Sequence, residues 1–375
     1  MDTEDLRRDM PALDDCVYLN TGASGPSPRR VVEAGEEFLE YHEYDSPARE
    51  GMYTSAADVL AETRNSVASL VNADADESEI CLTQSTTEGI NIVAEALDWE
   101  EGDKAVTTDL EHSSGILPWK RLRDLYGIDV KVAATTDGYL VRDEDDRDAF
   151  KDAVEDAKLV CLSSISWNYG TRLDVEDAVG IAHDAGAKVL VDAAQSPGQV
   201  DVDVKDWGAD FVAGTGHKWL LGPWGAGFLY ADSEVVEGTR SSRVGYRGVK
   251  NPNDDDFEYE DGARRFEIAT LPAATYAGFA EAVKTFEEIG LSEVEEEIRR
   301  LTDRLKNGID EERLISPREY ESGLVSFEAD DPEGLVESLS DDSVEIRSIP
   351  DPHCVRVSVH AFNNADDIDA VLDRI

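Results

Sequence analysis

Apolar and polar positions alternate along the first two thirds of the chain in a way that predicts strands and helices in turn. Short apolar runs are typical of buried strands, and apolar positions three or four residues apart are typical of amphipathic helices. The predicted strands are 80–83, 105–108, 159–163, 188–191, 210–214 and 225–230. The predicted helices are 57–71, 87–97 and 174–185. This alternation predicts an α/β domain with a largely parallel sheet covered on both faces.

The last third of the chain has a different pattern. Residues 231–262 are polar and rich in Gly and Asp, which predicts loops. Helices are then predicted at 273–289 and 291–304, followed by strands around 324–327, 344–349 and 355–359. We therefore expect a large domain at 20–272 and a smaller α+β domain formed by 1–19 and 273–375.

The net charge is the outlier of the composition. The chain has 83 acidic and 35 basic residues, a formal charge of −48, while 41% hydrophobic residues argue for a folded body. Such a charge disfavours nucleic acids and anionic membranes as partners, because both repel it. It is typical of a halophilic surface, since at molar salt the Debye length falls to ~3 Å and the repulsion is screened.

The cysteines and the amino terminus exclude further classes of protein. Cys16, Cys81, Cys161 and Cys354 are widely spaced, without a Cys-x-x-Cys pair, so neither a disulfide framework nor a metal site is expected. The first residues lack an apolar signal core, and no run approaches the ~20 apolar residues of a membrane helix. We expect a soluble, cytoplasmic protein.

The stretch from 187 to 230 carries the chemistry. Asp192 ends one predicted strand, Gln195 follows three residues later, and Lys218 lies just beyond the next predicted strand. Successive strand ends joined by a crossover meet at one edge of a sheet, where open α/β sheets bind ligands. Pyridoxal phosphate needs such a pair: a lysine amine for a Schiff base with the aldehyde, and a carboxylate that keeps the pyridine nitrogen protonated.

Each of these residues has a common structural role when it is taken alone. An Asp at a strand end is often a helix cap, and a lone Lys is usually a solvated charge. A Walker A phosphate loop is excluded, because Trp219 stands where that motif needs Ser or Thr, and Val212 and His217 occupy its glycine positions. The combination of residues therefore favours the cofactor.

Several blocks of the sequence resemble class V aminotransferase-fold enzymes, the group of cysteine desulfurases, selenocysteine lyases, kynureninases and isopenicillin N epimerase. The matching blocks are 18–26, 84–91, 111–112, 167–170, 192–218, 265–270 and 356–358. The resemblance implies the fold type I transferase architecture, with a mostly parallel seven-stranded large-domain sheet, and an α-amino acid as substrate. It also implies a homodimer with a shared active site.

The resemblance assigns roles around the cofactor. Lys218, His112 and Asp192 are the expected catalytic residues, with His112 lying over the ring. The expected cofactor contacts are Thr86, Thr87, His112, Asn168, Asp192, Gln195, Thr215, His217, Lys218 and, from a second subunit, Thr270. Ser85, Thr86 and Thr87 also precede a predicted helix, whose free N–H groups suit a phosphate, although Thr86 would cap that helix without any ligand.

Substrate contacts follow from the carboxyl-terminal block. Arg356 lies in a strand of period two whose valines face the core, so that its guanidinium faces the cleft and suits an α-carboxylate. A surface ion pair is the alternative role for this arginine. Arg347, Asn168 and Ala23 are further expected substrate contacts.

The sequence predicts the cofactor but leaves several reactions open. Desulfurases need a nucleophilic cysteine on a mobile loop before this arginine, but only residues 350–355 separate Ile349 from Arg356, and Cys354 lies in or beside the strand itself. We therefore expect transamination, epimerisation at Cα or β-elimination of the C–S type. Cysteine desulfuration through Cys354 is the alternative, and a non-catalytic protein that binds pyridoxal phosphate is a third.

Overall fold

The computed structural model describes residues 1–73, 77–241 and 243–375. The strands are β1 (Val17–Tyr18), β2 (Ile80–Thr83), β3 (Lys104–Thr108), β4 (Asp129–Ala133), β5 (Ala157–Ser163), β6 (Lys188–Asp192), β7 (Phe211–Thr215), β8 (Gly227–Ala231), β9 (Leu324–Phe327), β10 (Val344–Glu345), β11 (Arg347–Pro350) and β12 (His353–Ser358). The helices are α1 (Thr3–Arg8), α2 (Arg29–Glu40), α3 (Met52–Leu70), α4 (Thr86–Ala96), α5 (Leu117–Tyr126), α6 (Glu144–Val154), α7 (Val175–Asp184), α8 (Val204–Trp207), α9 (Ser233–Val236), α10 (Ala273–Ile289), α11 (Leu291–Gly308), α12 (Pro332–Asp341) and α13 (Ala365–Leu372).

A seven-stranded sheet forms the centre of the molecule, in the order β2-β8-β7-β6-β5-β3-β4. Only β8 runs antiparallel to its neighbours β2 and β7, and the other pairs are parallel. Val189, Leu190 and Val191 of the central strand β6 are fully buried, because alternate residues face core clusters on opposite sides of the sheet. The predicted α/β architecture is confirmed.

The carboxyl ends of the central strands lie side by side. Ser163 at the end of β5 is the register partner of Asp192 at the end of β6, and Asp192 in turn pairs with Ala213 of β7. Thr215 ends β7 two residues later. Helix α4 begins at the same edge, where Ser85 caps it by accepting a hydrogen bond from the Glu88 N–H. This edge is where a ligand-binding site is expected in an open α/β sheet.

The rest of the chain packs on this layer. Strands β11, β12 and β9 form a second, antiparallel sheet, and β1 pairs in parallel with β10. Helix α10 packs against α2 and α3 before Gly290 ends it at φ 94°, a conformation that favours glycine. The division into 20–272 and 1–19 with 273–375 remains a prediction.

Two predictions about this part of the chain are wrong in detail. The single strand expected at 344–349 is two strands in different sheets, since Val344 and Glu345 pair with β1 whereas Arg347 begins the hairpin with β12. The loops expected over 231–262 also contain the short helix α9, which Asp232 caps through the N–H groups of Glu234 and Val235.

Two kinds of feature are absent from the described residues. None of the helices there combines the length and the apolarity needed to cross a membrane. The same part of the chain contains no group of three or more His, Cys, Asp or Glu side chains suited to a metal ion.

Candidate active site

A cavity of about 240 Å³ opens at the carboxyl ends of the central strands. It is lined by eleven of the residues predicted from the sequence: Ala23, Thr86, Thr87, His112, Asp192, Gln195, Thr215, His217, Lys218, Arg347 and Arg356. A larger cavity of about 430 Å³ lies elsewhere, between α2, α3 and the start of α10. We take the smaller cavity as the site, because it contains the perturbed titratable groups.

Lys218 and Asp192 are the charged pair at the base of the cavity. Burial lowers the pKa of the Lys218 amine to about 8, with the Arg356 and Arg347 charges acting in the same direction and Asp192 opposing them. Burial raises the pKa of Asp192, while the Ala194 N–H and Lys218 counteract it. The Ala194 N–H donates to Asp192 Oδ1 at 2.9 Å and fixes that carboxylate. A lysine with such a pKa supplies a neutral amine near neutral pH.

A second buried carboxylate, Glu111, lies beside this pair. It accepts hydrogen bonds from the Ser163 N–H and hydroxyl, both at 2.8 Å, and from the Thr108 hydroxyl at 2.9 Å. Burial and the neighbouring Asp192 raise the pKa of Glu111 to about 8. Ser163 thus connects the loop before His112 to the strand edge that holds Asp192.

The α4 end of the cavity suits a phosphate group. The Thr86 hydroxyl is buried and has no hydrogen-bond partner among the described residues. Thr215 Oγ1 and His217 Nδ1 are 2.7 Å apart, and burial followed by the Lys218 charge lowers the pKa of His217 to about 4. Hydroxyls and free N–H groups at a helix amino terminus form a site for an anion.

His112 is held by its neighbours in one tautomer. Its Nδ1 accepts from the Ser114 N–H at 3.3 Å and lies 2.9 Å from the Ser114 hydroxyl. Burial and the Lys218 charge lower the pKa of the ring, so His112 is neutral at pH 7 and carries its hydrogen on Nε2. The ring contacts Trp167 edge to face, with centroids 5.3 Å apart.

Two arginines form the opposite wall from adjacent strands, since Arg347 and Arg356 are register partners in the β11-β12 hairpin. The Arg356 side chain is 1% exposed and donates to the Trp167 carbonyl at 2.7 Å. Its Nε and Nη2 atoms have no hydrogen-bond partner among the described residues. Burial, followed by the Arg347 charge, lowers the pKa of Arg356 to about 9. A buried guanidinium with unused donors is a site for a carboxylate.

Two predicted residues do not line this cavity. The Asn168 amide accepts from the Ser166 hydroxyl at 2.6 Å and donates to the Asp351 carbonyl at 3.1 Å, so its hydrogen bonds go to the protein. Thr270 lines the larger cavity instead. Ser85, named from the sequence beside Thr86 and Thr87, also lines the cavity, and the sequence missed the rest of the lining, namely Gly22, Ser114, Ser163, Ile165, Trp167 and Ala194. Gly22, Ser85, Trp167 and Ala194 lie in matching blocks of the sequence, which is the signal that pointed to them.

Cys354 lies outside the cavity lining as well. Its thiol is fully buried in β12, and burial raises its pKa to about 11, with Ser326 and Arg356 acting against this shift. The strand before it forms a tight hairpin, since Pro350 pairs directly with His353.

This combination of a buried lysine, a carboxylate and an anion site at one sheet edge defines a pyridoxal-phosphate enzyme of the α/β type. The family model for aminotransferase class V matches residues 17–371. The chain therefore belongs to the aminotransferase class V family. This confirms the fold, the enzyme class and the cofactor predicted from the sequence.

Proteins similar to this chain include probable cysteine desulfurases and a cystine C-S lyase. A probable cysteine desulfurase of Methanothermobacter thermautotrophicus is 36% identical over 393 residues, covering 98% of this chain and 96% of that protein. The structure of the cystine C-S lyase C-DES with its product cysteine persulfide has a TM-score of 0.91 and 27% identity, covering 97% of this chain and 98% of that one. A lysine-to-alanine mutant of C-DES, with glycine covalently linked to the pyridoxal-phosphate cofactor, has a TM-score of 0.92 and 27% identity, covering 98% of both chains.

Proposed function

We propose that the protein is a C–S lyase that eliminates the sulfur of a cysteine-type α-amino acid without passing it to a protein thiol. The observation that carries this proposal is that none of the cysteines lines the cavity in the described part of the chain. The similarity to cysteine desulfurases and to a cystine C-S lyase supports the choice of substrate.

Cys354 is the only cysteine beside the substrate arginine along the chain, and its surroundings make it a poor nucleophile. The thiolate is the reactive form, and burial has raised the pKa of this thiol to about 11. The tight turn between Pro350 and His353 holds its strand in the hairpin with β11. A thiol in this position does not have the mobility that sulfur transfer from the cavity requires.

The residues present fit pyridoxal phosphate. Thr86, Thr215, His217 and the N–H groups that begin α4 would hold the phosphate, and Asp192 would pair with the pyridine nitrogen. Gln195 would hydrogen-bond to the ring oxygen. When bound, the cofactor supplies an electron sink for charge that develops at Cα of the substrate.

Lys218 would anchor the cofactor and move the proton at Cα. Its amine has a pKa of about 8, so a large part of it is neutral near that pH and able to accept a proton at Nζ. His112 is neutral and would keep its Nε2 proton, which suits a hydrogen bond to the departing sulfur, while the proton that Lys218 accepts from Cα would be the one passed to that sulfur. Because Ser114 occupies Nδ1, only Nε2 is available for this hydrogen bond.

Arg356 would bind the α-carboxylate of the substrate through its unused Nε and Nη2 donors. Gly22 lies against the guanidinium, since a Cβ there would come within 3.1 Å of Arg356 Nη2. Arg347 would add a second positive charge at the same wall. A carboxylate bound at this wall would place the substrate in the same cavity as the Lys218 amine.

A homodimer completes the proposal. Apolar side chains remain exposed around the larger cavity, on α2, α3 and the loops before α10, including Leu39, Met52, Tyr53 and Ile268. Thr270 lies at this cavity, and we propose that it contacts the cofactor of a second copy. The cytoplasmic location remains a prediction, as does the halophilic surface.

Product analysis tests the function. Elimination from cysteine consumes water and yields pyruvate, ammonia and hydrogen sulfide, whereas desulfuration yields alanine and leaves the sulfur on a thiol. Transamination yields the sulfur-containing keto acid, and epimerisation yields the D-amino acid. We expect pyruvate and sulfide from cysteine, or pyruvate and cysteine persulfide from cystine, and a Cys354→Ala variant with at least about half of the wild-type kcat. Loss of turnover in this variant, with cofactor content and folding intact, would favour desulfuration.

A further inference from the structure

The Gln195 side chain has one defined orientation in the cavity. The Trp219 indole N–H donates to Gln195 Oε1 at 2.6 Å, and Gln195 Nε2 donates to the Gly22 carbonyl at 3.1 Å. An indole N–H only donates and a carbonyl only accepts, so each partner independently requires the same amide orientation. The remaining N–H of Gln195 is then the polar group available to a ligand in the cavity.

Trp219 itself is fixed by residues from the other end of the chain. It is fully buried, and its ring stacks on His360 at a centroid distance of 5.7 Å and an angle of 18°. His360 Nε2 lies 2.9 Å from the Trp219 carbonyl, which accepts, so this nitrogen carries the hydrogen. Gly323 has no room for a side chain, because a Cβ there would come within 2.9 Å of the indole ring.

Trp219 also follows Lys218 directly in the sequence. One short segment therefore presents the lysine amine to the cavity and, through the next residue, holds the Gln195 amide. Without the indole N–H, no donor holds Gln195 Oε1 in place, and of the two partners only the Gly22 carbonyl still favours this amide orientation. Gly22 alone leaves a weaker restraint, with a bond of 3.1 Å.

We infer that Trp219 is a positioning residue that orients the Gln195 amide so that it donates to the ionised ring oxygen of the cofactor. This inference rests on the proposed function and adds a residue to its site. A directed N–H stabilises an ionised oxygen, which keeps the pKa of the lysine–cofactor linkage low. Loss of the indole donor raises that pKa, because a rotated amide turns its own oxygen toward the ring oxygen.

The test uses the cofactor-loaded protein and two readouts other than turnover: the pH midpoint of the visible absorption band, and the dissociation constant for pyridoxal phosphate. Trp219→Phe keeps an aromatic ring and removes the donor. We expect the midpoint to move to higher pH by about one unit and the dissociation constant to rise about tenfold, the usual effect of one hydrogen bond to a charged group.

A double-mutant cycle separates positioning from packing. Gln195→Met removes the amide, so Trp219→Phe should shift the midpoint by less than about 0.3 unit in that background. Trp99→Phe is the matched control, because this indole also donates to a carbonyl, Ala94 O at 2.7 Å, and lies outside the cavity lining. If Trp219→Phe does not fold, replacement of Trp219 by 3-benzothienylalanine removes the N–H with little change of shape, and the same shift is expected.

An unchanged midpoint in the Trp219 variant, or a shift that persists in full in the Gln195→Met background, would overturn the inference and leave the proposed function standing. A wild-type protein that binds no pyridoxal phosphate would overturn both.

Discussion

Arg356→Met should make the cofactor-free protein more stable while it destroys substrate binding. The guanidinium is 1% exposed, and two of its nitrogens lack partners among the described residues. The fall in its pKa from 12.5 to about 9 corresponds to an upper limit of about 5 kcal/mol for burying the charge. Because a pKa of about 9 lies above neutral, the arginine is charged at pH 7 and the full cost applies there.

The net gain is smaller than this limit. Methionine has a similar volume, but the Trp167 carbonyl loses the hydrogen bond from Arg356, at a cost of about 1 kcal/mol. Replacing a buried ion pair or triad by apolar side chains is often neutral or gains about 1–4 kcal/mol in other proteins. We expect an increase of about 2 kcal/mol in the free energy of unfolding.

Thermal unfolding of cofactor-free protein in phosphate-free buffer at fixed KCl measures the gain, and steady-state kinetics with cysteine measure the loss. A bidentate, charge-assisted contact accounts for a decrease in kcat/KM of about 100- to 1000-fold. Arg347→Met is the control: this exposed residue should change stability by less than about 0.5 kcal/mol. An Arg356→Met protein less stable than wild type would refute the reasoning, because the arginine would then hold the fold rather than a ligand.

Three further predictions concern the cofactor and the surface. Capture of pyridoxal phosphate by the cofactor-free protein should accelerate with pH around a midpoint near 8, because only the neutral Lys218 amine attacks the aldehyde. The Lys218→Ala variant should retain no covalently bound cofactor after borohydride reduction. Covalent cofactor in that variant would show that Lys218 is not the residue that binds it. Asp192→Asn should bind the cofactor but lose at least about 100-fold in kcat, since an amide does not keep the pyridine nitrogen protonated, and near-normal turnover would exclude that role. The melting temperature should rise from low to molar KCl, because a charge of −48 repels itself, and a flat or falling series would argue against a halophilic surface.

The periodic spacing of apolar residues in the sequence predicted the strands and helices that have a regularly buried face. Strand β2 and helix α10 have the bounds expected from the sequence, because apolar residues follow one period throughout each. Strand β4 was missed, since it is an edge strand with largely exposed side chains, among them Val132 at 52% exposure. The alternation of Val130 and Val132 with Asp129 and Lys131 is nevertheless typical of a strand, so the sequence did carry a signal for β4.

The residues of the candidate site also fall into two groups, those that the sequence predicted and those that it did not. Residues at strand ends, such as Asp192 and Lys218, were predictable because topology alone brings strand ends together. The position of Asn168 was not, since its amide is engaged by the Asp351 carbonyl in a hairpin far along the chain. The sequence marked Trp219 only as a departure from a phosphate-loop motif, because its bond to Gln195 depends on packing that no spacing encodes.

The most direct test of the proposed elimination is a single turnover of the cofactor-loaded enzyme with cysteine, without reductant. The three-carbon product is identified, the released sulfide is counted, and the intact mass of the protein is measured. The account predicts pyruvate and sulfide in equal amounts and an unchanged protein mass. Alanine, together with a protein heavier by one sulfur atom at Cys354, would contradict it.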